Sequence, residues 1–472
     1  MKRRILEIGL VVLMFFWVFT FASVRIGHGT EQTPKAQYAL GVQRILVLAV
    51  SFSDTNQEMP LPQIRRRLLG PTAKYFVQAS YGKTTLTGDV KGWYKLPLPL
   101  SRYKVPAENA YLVRDHHLVQ LFVQDALNAA EKDVVFSQYN HIIIVPGVKS
   151  GFNVGYGSPC LAANPGILAG SGGKRGNARM VTITTRGGQQ FSGGIIIVAQ
   201  NVPYGLAVHD MAHAMGGVVD RNRVIPCLYN GKLQVAVGLL DKDSHTKTAV
   251  YMGSWDVMSM HATISNGKWI APGMSSWTRL RMGWIDGSQV VEYKPGERRV
   301  VTLKPLGGGK GTLVVRIPGP GNTYYLLENR QALPGDMVPT SGLLVLHVDD
   351  SLEYWEGIVR VVDANPKVPN FGDAAFGVDP EKKSSLNLKQ DIAVEVLWQE
   401  NMDMVISVTN KSIAPDIQSV AKRIREIDQR LTGLDESPSS VQAKADLTNI
   451  KELLLQMKVD DARAKIENTK WP

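Results

Sequence analysis

The stretch from Tyr204 to Asp220, YGLAVHDMAHAMGGVVD, constrains the fold more than any other part of the chain. It follows an apolar run at 193–199 that is typical of a buried strand, and its two consecutive glycines favour the end of a helix. His209 and His213 are four residues apart, so a helix places both imidazoles on one face, one turn apart. The sequence therefore predicts a strand followed by a helix that presents two histidines.

Paired imidazoles on one helix face are a common way to supply two ligands to zinc, although buried helices also carry incidental histidines. Asp210 occupies the position where zinc proteases of the His-Glu-x-x-His type carry their general base. Asp220 follows the glycine turn, and we predict it as the third metal ligand. Asp241 and His245 are the alternatives for that ligand.

The N-terminus predicts export of the chain. Three basic residues at 2–4 precede an almost wholly apolar run at 8–24, which indicates a signal peptide or an uncleaved anchor within residues 1–25. We therefore expect an extracellular or cell-surface protein that meets the membrane only through this segment if it is uncleaved. The net charge of +11 is scattered and no nucleic-acid-binding motif is visible, so we expect no nucleic-acid partner.

The cysteine count is low for an exported chain. Cys160 and Cys227 are the only two cysteines in 472 residues, which excludes a cysteine-rich zinc finger and a disulfide-dense scaffold. Because oxidising compartments favour disulfides, we predict that these two cysteines form one.

Hydrophobic patterning divides the exported part into three segments. Residues 36–287 alternate strand and helix patterns, which predicts an α/β (α+β) domain. Within it a helical pattern at 61–80 is interrupted at Gly70-Pro71, and His116 and His117 on a later helix are predicted surface residues. Residues 288–410 are alternating and β-branched, which predicts a β-sandwich. Residues 411–472 repeat apolar positions every three or four residues, which predicts a helical hairpin that packs on itself or on a partner.

With these segments in place, the sequence resembles the immune inhibitor A-type (gametolysin-like) secreted zinc metalloproteases of the metzincin group. The similarity covers 43–408 and leaves out the C-terminal hairpin. The segments that carry it are 46–54, 79–88, 92–94, the histidine helix, 255–259, 276–284, 325–330, 341–349 and 362–364.

The resemblance implies a metzincin-like domain that binds zinc through His209 and His213 and hydrolyses protein or peptide substrates. It also implies that Met258 lies in the turn beneath the metal, where its soft side chain packs under the histidines. The chain departs from the family pattern at Asp210, where a glutamate is usual. Its shorter carboxylate lies roughly 1–1.5 Å further from the attacking water, and a misplacement of about 1 Å can cost on the order of 100-fold in rate. Asp220 also follows His213 by seven residues instead of six.

These sequence features suggest two alternative functions, an enzyme and a binding protein. In an active peptidase, Asp210 moves the proton and His261 steadies the developing oxyanion. A decayed scaffold would instead keep the metal without turnover and bind a cell-envelope partner through its β domain and hairpin. Glu328, Asp349 and Asp363 are candidate calcium ligands in the β domain, although carboxylates at strand ends are also ordinary surface residues.

Overall fold

The computed structural model describes residues 34–55, 59–103, 116–148, 160–170, 175–233, 244–265 and 267–472. The predicted signal or anchor at 1–25 lies outside these residues. Within the described ranges, none of the helices combines the length and apolar character needed to cross a bilayer.

A five-stranded sheet forms the centre of the first segment, and sequence patterns predict four of its strands, all but Cys160–Asn164. Across the sheet, the strands are Thr84–Lys95, Gly41–Ser51, His141–Pro146, Gly194–Val198 and Cys160–Asn164. The first four are parallel to their neighbours and the last is antiparallel. Alternate residues of Gly41–Ser51 enter different cores, with Ile45 and Val47 on one face and Leu46 and Leu48 on the other. Burial on both faces explains why this strand is apolar from Ile45 to Val50 instead of alternating with polar residues.

Helices cover both faces of this sheet. The histidine helix, Tyr204–Gly216, shares one core with the helical run 61–79, and His116–Ala130 packs on the opposite face. The predicted interruption at Gly70-Pro71 is wrong. Arg65–Leu69 is a π-helical turn that leads directly into Gly70–Ala79, and Pro71 lies in the first turn of that helix. The proline therefore follows a turn that departs from regular α-helical hydrogen bonding and does not interrupt the middle of an α-helix.

Shorter elements connect these layers on both faces of the sheet. They are the helices Leu100–Tyr103, Ser244–Thr248 and Ser276–Arg281, and the strand pairs Ile183–Thr184 with Gln190–Phe191, Val218–Val219 with Asn222–Arg223, and Thr263–Ser265 with Lys268–Ile270.

The predicted β-sandwich is confirmed. Its first sheet contains the strands Val290–Glu292, Val314–Pro318, Thr323–Arg330, Gly342–Asp349 and Val359–Val361. Its second sheet contains Arg299–Leu303, Asp403–Asn410, Ile392–Glu400 and Ser385–Asn387. Leu327 and Val345 of the first sheet face the second, whereas Leu326 and Leu344 join the core of the histidine helix. The sandwich is therefore packed directly against the α/β segment and shares its core.

The C-terminal region contains three helices, not the predicted two-helix hairpin. They span Ala414–Thr432, Pro438–Leu455 and Val459–Asn468. The third buries only Ala462 and Ile466 strongly, which is too short a repeat to stand out in the sequence. The three helices form one core with Leu397 and Trp398 on the outer face of the second sandwich sheet, the third packing on the first two, so the apolar seams are buried within this chain.

Candidate metal centre

The histidine helix is buried along nearly its whole length. It spans Tyr204–Gly216 as predicted, and every residue from Gly205 to Gly216 is buried. Gly217 follows with φ of 65°, a backbone conformation that glycine adopts without strain, and the chain turns away there. A helix apolar on all sides packs between layers, and this one separates the central sheet from the 252–285 region.

His209 and His213 converge as the sequence predicts, and Cys227 joins them. The two Nε2 atoms lie 3.1 Å apart. The Sγ atom of Cys227 is 3.3 Å from Nε2 of His213 and 3.8 Å from Nε2 of His209. All three residues are buried, and within the described part of the chain they form the one group of three residues with metal-ligand spacing.

Backbone carbonyls hold both imidazoles from behind. His209 Nδ1 lies 3.0 Å from the Val257 oxygen, and His213 Nδ1 lies 2.6 Å from the Ile225 oxygen. A carbonyl only accepts a hydrogen bond, so each Nδ1 carries the proton and each Nε2 presents its lone pair to the cluster. This outer hydrogen bond is the usual support of a metal-binding histidine.

The donor set fits zinc. A tetrahedral zinc with bonds of about 2.0–2.1 Å to nitrogen and about 2.3 Å to sulfur separates two nitrogens by about 3.3 Å and nitrogen from sulfur by about 3.6 Å. The observed nitrogen–nitrogen separation of 3.1 Å is slightly shorter than the first value, and the sulfur–nitrogen separations of 3.3 and 3.8 Å lie on either side of the second. Two lone pairs that face each other repel unless a cation lies between them. Burial lowers the pKa of His213 well below its ordinary range, and the neighbouring His209 contributes in the same direction. A proton is therefore disfavoured as the cation between the two Nε2 atoms.

The predicted third ligand, Asp220, is not in this cluster. Asp220 and Arg221 form the tip of the hairpin between Val218–Val219 and Asn222–Arg223, with φ of 47° and 63°. Asp220 is exposed there, because the short hairpin directs its tip into solvent. The returning strand then brings Cys227 to the metal-binding face. Asp241 lies outside the described residues, as does the side chain of His245.

The predicted disulfide between Cys160 and Cys227 is also wrong. Cys227 is a free, buried cysteine directed at the two imidazoles. Burial raises the pKa of its thiol, with a contribution in the same direction from the negative charge of Asp210, while Arg223 opposes the shift. Sequence reasoning missed this candidate ligand because it assigned the only two cysteines to each other. The available signal was a thiol, a good zinc ligand, 14 residues after the second histidine.

Asp210 and His261 both lie near the cluster. Asp210 is 6% exposed, and its charge acts on the Cys227 thiol. The His261 ring centre is 4.0 Å from that of His209, and Tyr229 packs on both rings at 6.0 and 5.6 Å. The site therefore combines three potential ligands with a buried carboxylate and a third imidazole.

Met258 lies in a tight turn that contacts the histidine helix. The turn is organised by Asp256, whose buried carboxylate accepts hydrogen bonds from the Met258 and Ser275 N–H groups and from the Ser275 and Thr278 hydroxyls. Met258 is fully buried in the same core as the helix. The adjacent Val257 carbonyl is the one that holds His209.

The three carboxylates considered as calcium ligands do not lie close enough together to bind one ion. Glu328 is buried in an ion pair with Arg330 at 2.9 Å. Asp349 accepts hydrogen bonds from Ser351, and Asp363 accepts one from the Asn365 N–H. They form no group of metal-ligand spacing among the described residues.

Comparison with known proteins does not assign the chain to a family: no protein-family model and no curated protein matches it.

Proposed function

We propose that this chain is an exported, zinc-dependent endopeptidase. One observation carries the proposal: His209, His213 and Cys227 converge beside the buried carboxylate of Asp210. Structural zinc sites usually have four protein ligands, whereas catalytic sites have three and leave one position for water or substrate. The His-Asp-x-x-His spacing and the buried Met258 turn support the same function.

The three side chains would hold zinc through Nε2 of each imidazole and Sγ of Cys227. When bound there, zinc supplies Lewis acidity, which polarises the scissile carbonyl and makes a water molecule acidic near neutral pH. Val257 and Ile225 keep the imidazoles in the required tautomer through their carbonyl oxygens.

Asp210 is the proposed general base. Its carboxylate takes a proton from the attacking water and returns it to the nitrogen of the leaving amine. Its burial excludes competing bulk water, and its position on the helix ties it to the metal ligands. His261, whose ring packs edge-on against that of His209, is the proposed donor toward the carbonyl oxygen as negative charge develops on it.

The alternative is a scaffold that binds a cell-envelope partner without turnover. Two observations favour it: Asp210 has a short side chain, and the third potential ligand is the sulfur of Cys227, which would bind zinc as a thiolate. A thiolate donates more electron density than a carboxylate, which weakens the Lewis acidity available to a substrate.

One experiment distinguishes the peptidase from the scaffold that binds a partner without turnover. Purified protein is analysed for zinc and incubated with a mixed peptide library for the wild type, His213→Ala and Asp210→Asn. An active peptidase requires stoichiometric zinc and cleavage by the wild type, loss of both in His213→Ala, and loss of cleavage alone in Asp210→Asn. His117→Ala, at an exposed histidine on another helix, is the matched control. Zinc binding without cleavage by the wild type would favour the scaffold.

A further inference from the structure

A cluster of four buried charges joins the sandwich to the α/β segment. Arg330 and Asp336 pair through two hydrogen bonds of 2.8 and 3.2 Å, and Arg279 contacts the same aspartate at 2.9 Å. Glu328 pairs with Arg330 at 2.9 Å. All four residues are fully buried. Buried charges are costly unless they are fully paired, so a cluster of this kind fixes its surroundings in one arrangement.

The cluster is directly connected to the backbone that holds His209. Arg330 Nη1 donates to the Trp255 carbonyl at 3.1 Å, two residues before Val257. Glu328 accepts from the Ser276 N–H at 2.7 Å and so fixes the helix that follows Ser275, a partner of Asp256. Residues of the sandwich therefore hydrogen-bond to the backbone on both sides of the turn that contains Met258, at Trp255 before it and at Ser276 after it.

A second connection passes through Gly273. Its N–H donates to the Met337 carbonyl of the sandwich at 2.8 Å, and its own carbonyl accepts from the Val257 N–H at 3.0 Å. A Cβ atom at Gly273 would lie 2.3 Å from Asp336 Oδ1 and 2.9 Å from Arg330 Nη2, so only glycine fits against the cluster. Val257 is thus held on its N–H side by this contact and receives His209 Nδ1 on its carbonyl side.

We infer that Arg330 is a positioning residue for His209: it fixes the Trp255–Val257 backbone, which sets the tautomer and direction of the imidazole. The inference rests on the metal-binding part of the proposed function. It makes the sandwich part of the metal centre, although none of its residues contributes a ligand to the His209, His213 and Cys227 group. The loss of an outer-shell partner of this kind typically lowers metal affinity by about 10–100-fold.

The first test is made on the metal-free wild type. Long-range proton–nitrogen NMR of the full chain, labelled at histidine nitrogens and assigned with His209→Gln, reports which ring nitrogen carries the proton. The expected result is protonation of His209 at Nδ1. A His209 protonated at Nε2 would overturn the inference, and this measurement does not depend on how any Arg330 variant folds.

The second test measures zinc affinity by competition with a chromophoric chelator. Arg330→Lys keeps the charge but cannot reach both carboxylates and the Trp255 carbonyl, and the double variant Arg330→Met, Glu328→Gln removes one charge of each sign. Both variants should weaken zinc binding by about 10–100-fold and should redistribute the His209 tautomers. Phe122→Leu, in the core on the opposite face of the central sheet, controls for lost stability and should change zinc affinity less than threefold.

Zinc affinity within threefold of wild type in both folded Arg330 variants would overturn the inference. Failure of the wild type to cleave peptides, with these zinc and tautomer results intact, would instead count only against the peptidase.

Discussion

Replacing Cys227 tests the metal centre most sharply, because the sequence pattern did not select this residue as a ligand. Cys227→Ser keeps the side-chain size but replaces a soft thiolate by a hydroxyl that stays protonated. The Sγ atom lies 3.3 and 3.8 Å from the two Nε2 atoms, so the substitution removes one of the three proposed ligands and leaves the other two in place.

The expected magnitude follows from zinc energetics. Zinc held by four ligands contributes on the order of 10–16 kcal/mol, so one ligand carries roughly 3 kcal/mol, or about a hundredfold in Kd. At free zinc about 1,000-fold above the wild-type Kd, the metal raises the free energy of unfolding by about 4.1 kcal/mol. At the same zinc concentration, a site a hundredfold weaker contributes only about 1.4 kcal/mol.

Chemical denaturation with zinc and with a chelator measures this difference directly. Cys227→Ser should lose about two thirds of the zinc-dependent stabilisation, while its metal-free stability stays close to that of wild type. Cys160→Ser is the matched control and should retain the full zinc effect, because Cys227 is free in the structure. An unchanged zinc effect in Cys227→Ser would show that the third ligand is a different residue.

Three further predictions concern other parts of the molecule. Asp210→Asn should keep zinc but lower kcat by about 10²–10⁴ in a peptide assay, and equal turnover would exclude Asp210 as the base. Burial raises the pKa of Glu395 from 4.5 to about 7, so the folded chain retains a proton that the unfolded chain loses, and stability should fall as pH rises between these values. Denaturation from pH 4.5 to 7.5 should show a loss of at most about 3 kcal/mol, and Glu395→Gln should remove it; an unchanged pH slope in the variant would refute the assignment. Ile424→Ala in the fully buried C-terminal seam should cost about 2–5 kcal/mol, against less than about 0.5 kcal/mol for Val441→Ala at a position 57% exposed. Equal costs would mean that the helices do not pack as described.

Local patterns in the sequence were sufficient to predict most of the strands and helices. Sequence patterns predicted four of the five strands of the central sheet, and the alternating region predicted the sandwich, because burial imposes those periods on each strand separately. The antiparallel strand Cys160–Asn164 was missed. The break expected at Gly70-Pro71 was wrong, because a π-helical turn before the proline keeps the helix continuous. The third C-terminal helix was missed because its buried stripe is only two residues long.

At the site, the sequence alone determined the histidine pair and its neighbouring carboxylate. His209, Asp210 and His213 lie within five consecutive residues of one helix, so 3.6-residue geometry fixes their relative directions before any tertiary contact forms.

The tertiary structure decided the remaining features. Asp220 and Cys227 both follow the histidine helix, and only the path of the short hairpin determines that the first faces solvent and the second faces the imidazoles. The carbonyl that orients His209 comes from Val257, 48 residues later, and the charges that hold its turn come from the sandwich. Contacts between segments so distant along the chain depend on how whole layers pack, and no local period in the sequence records that packing.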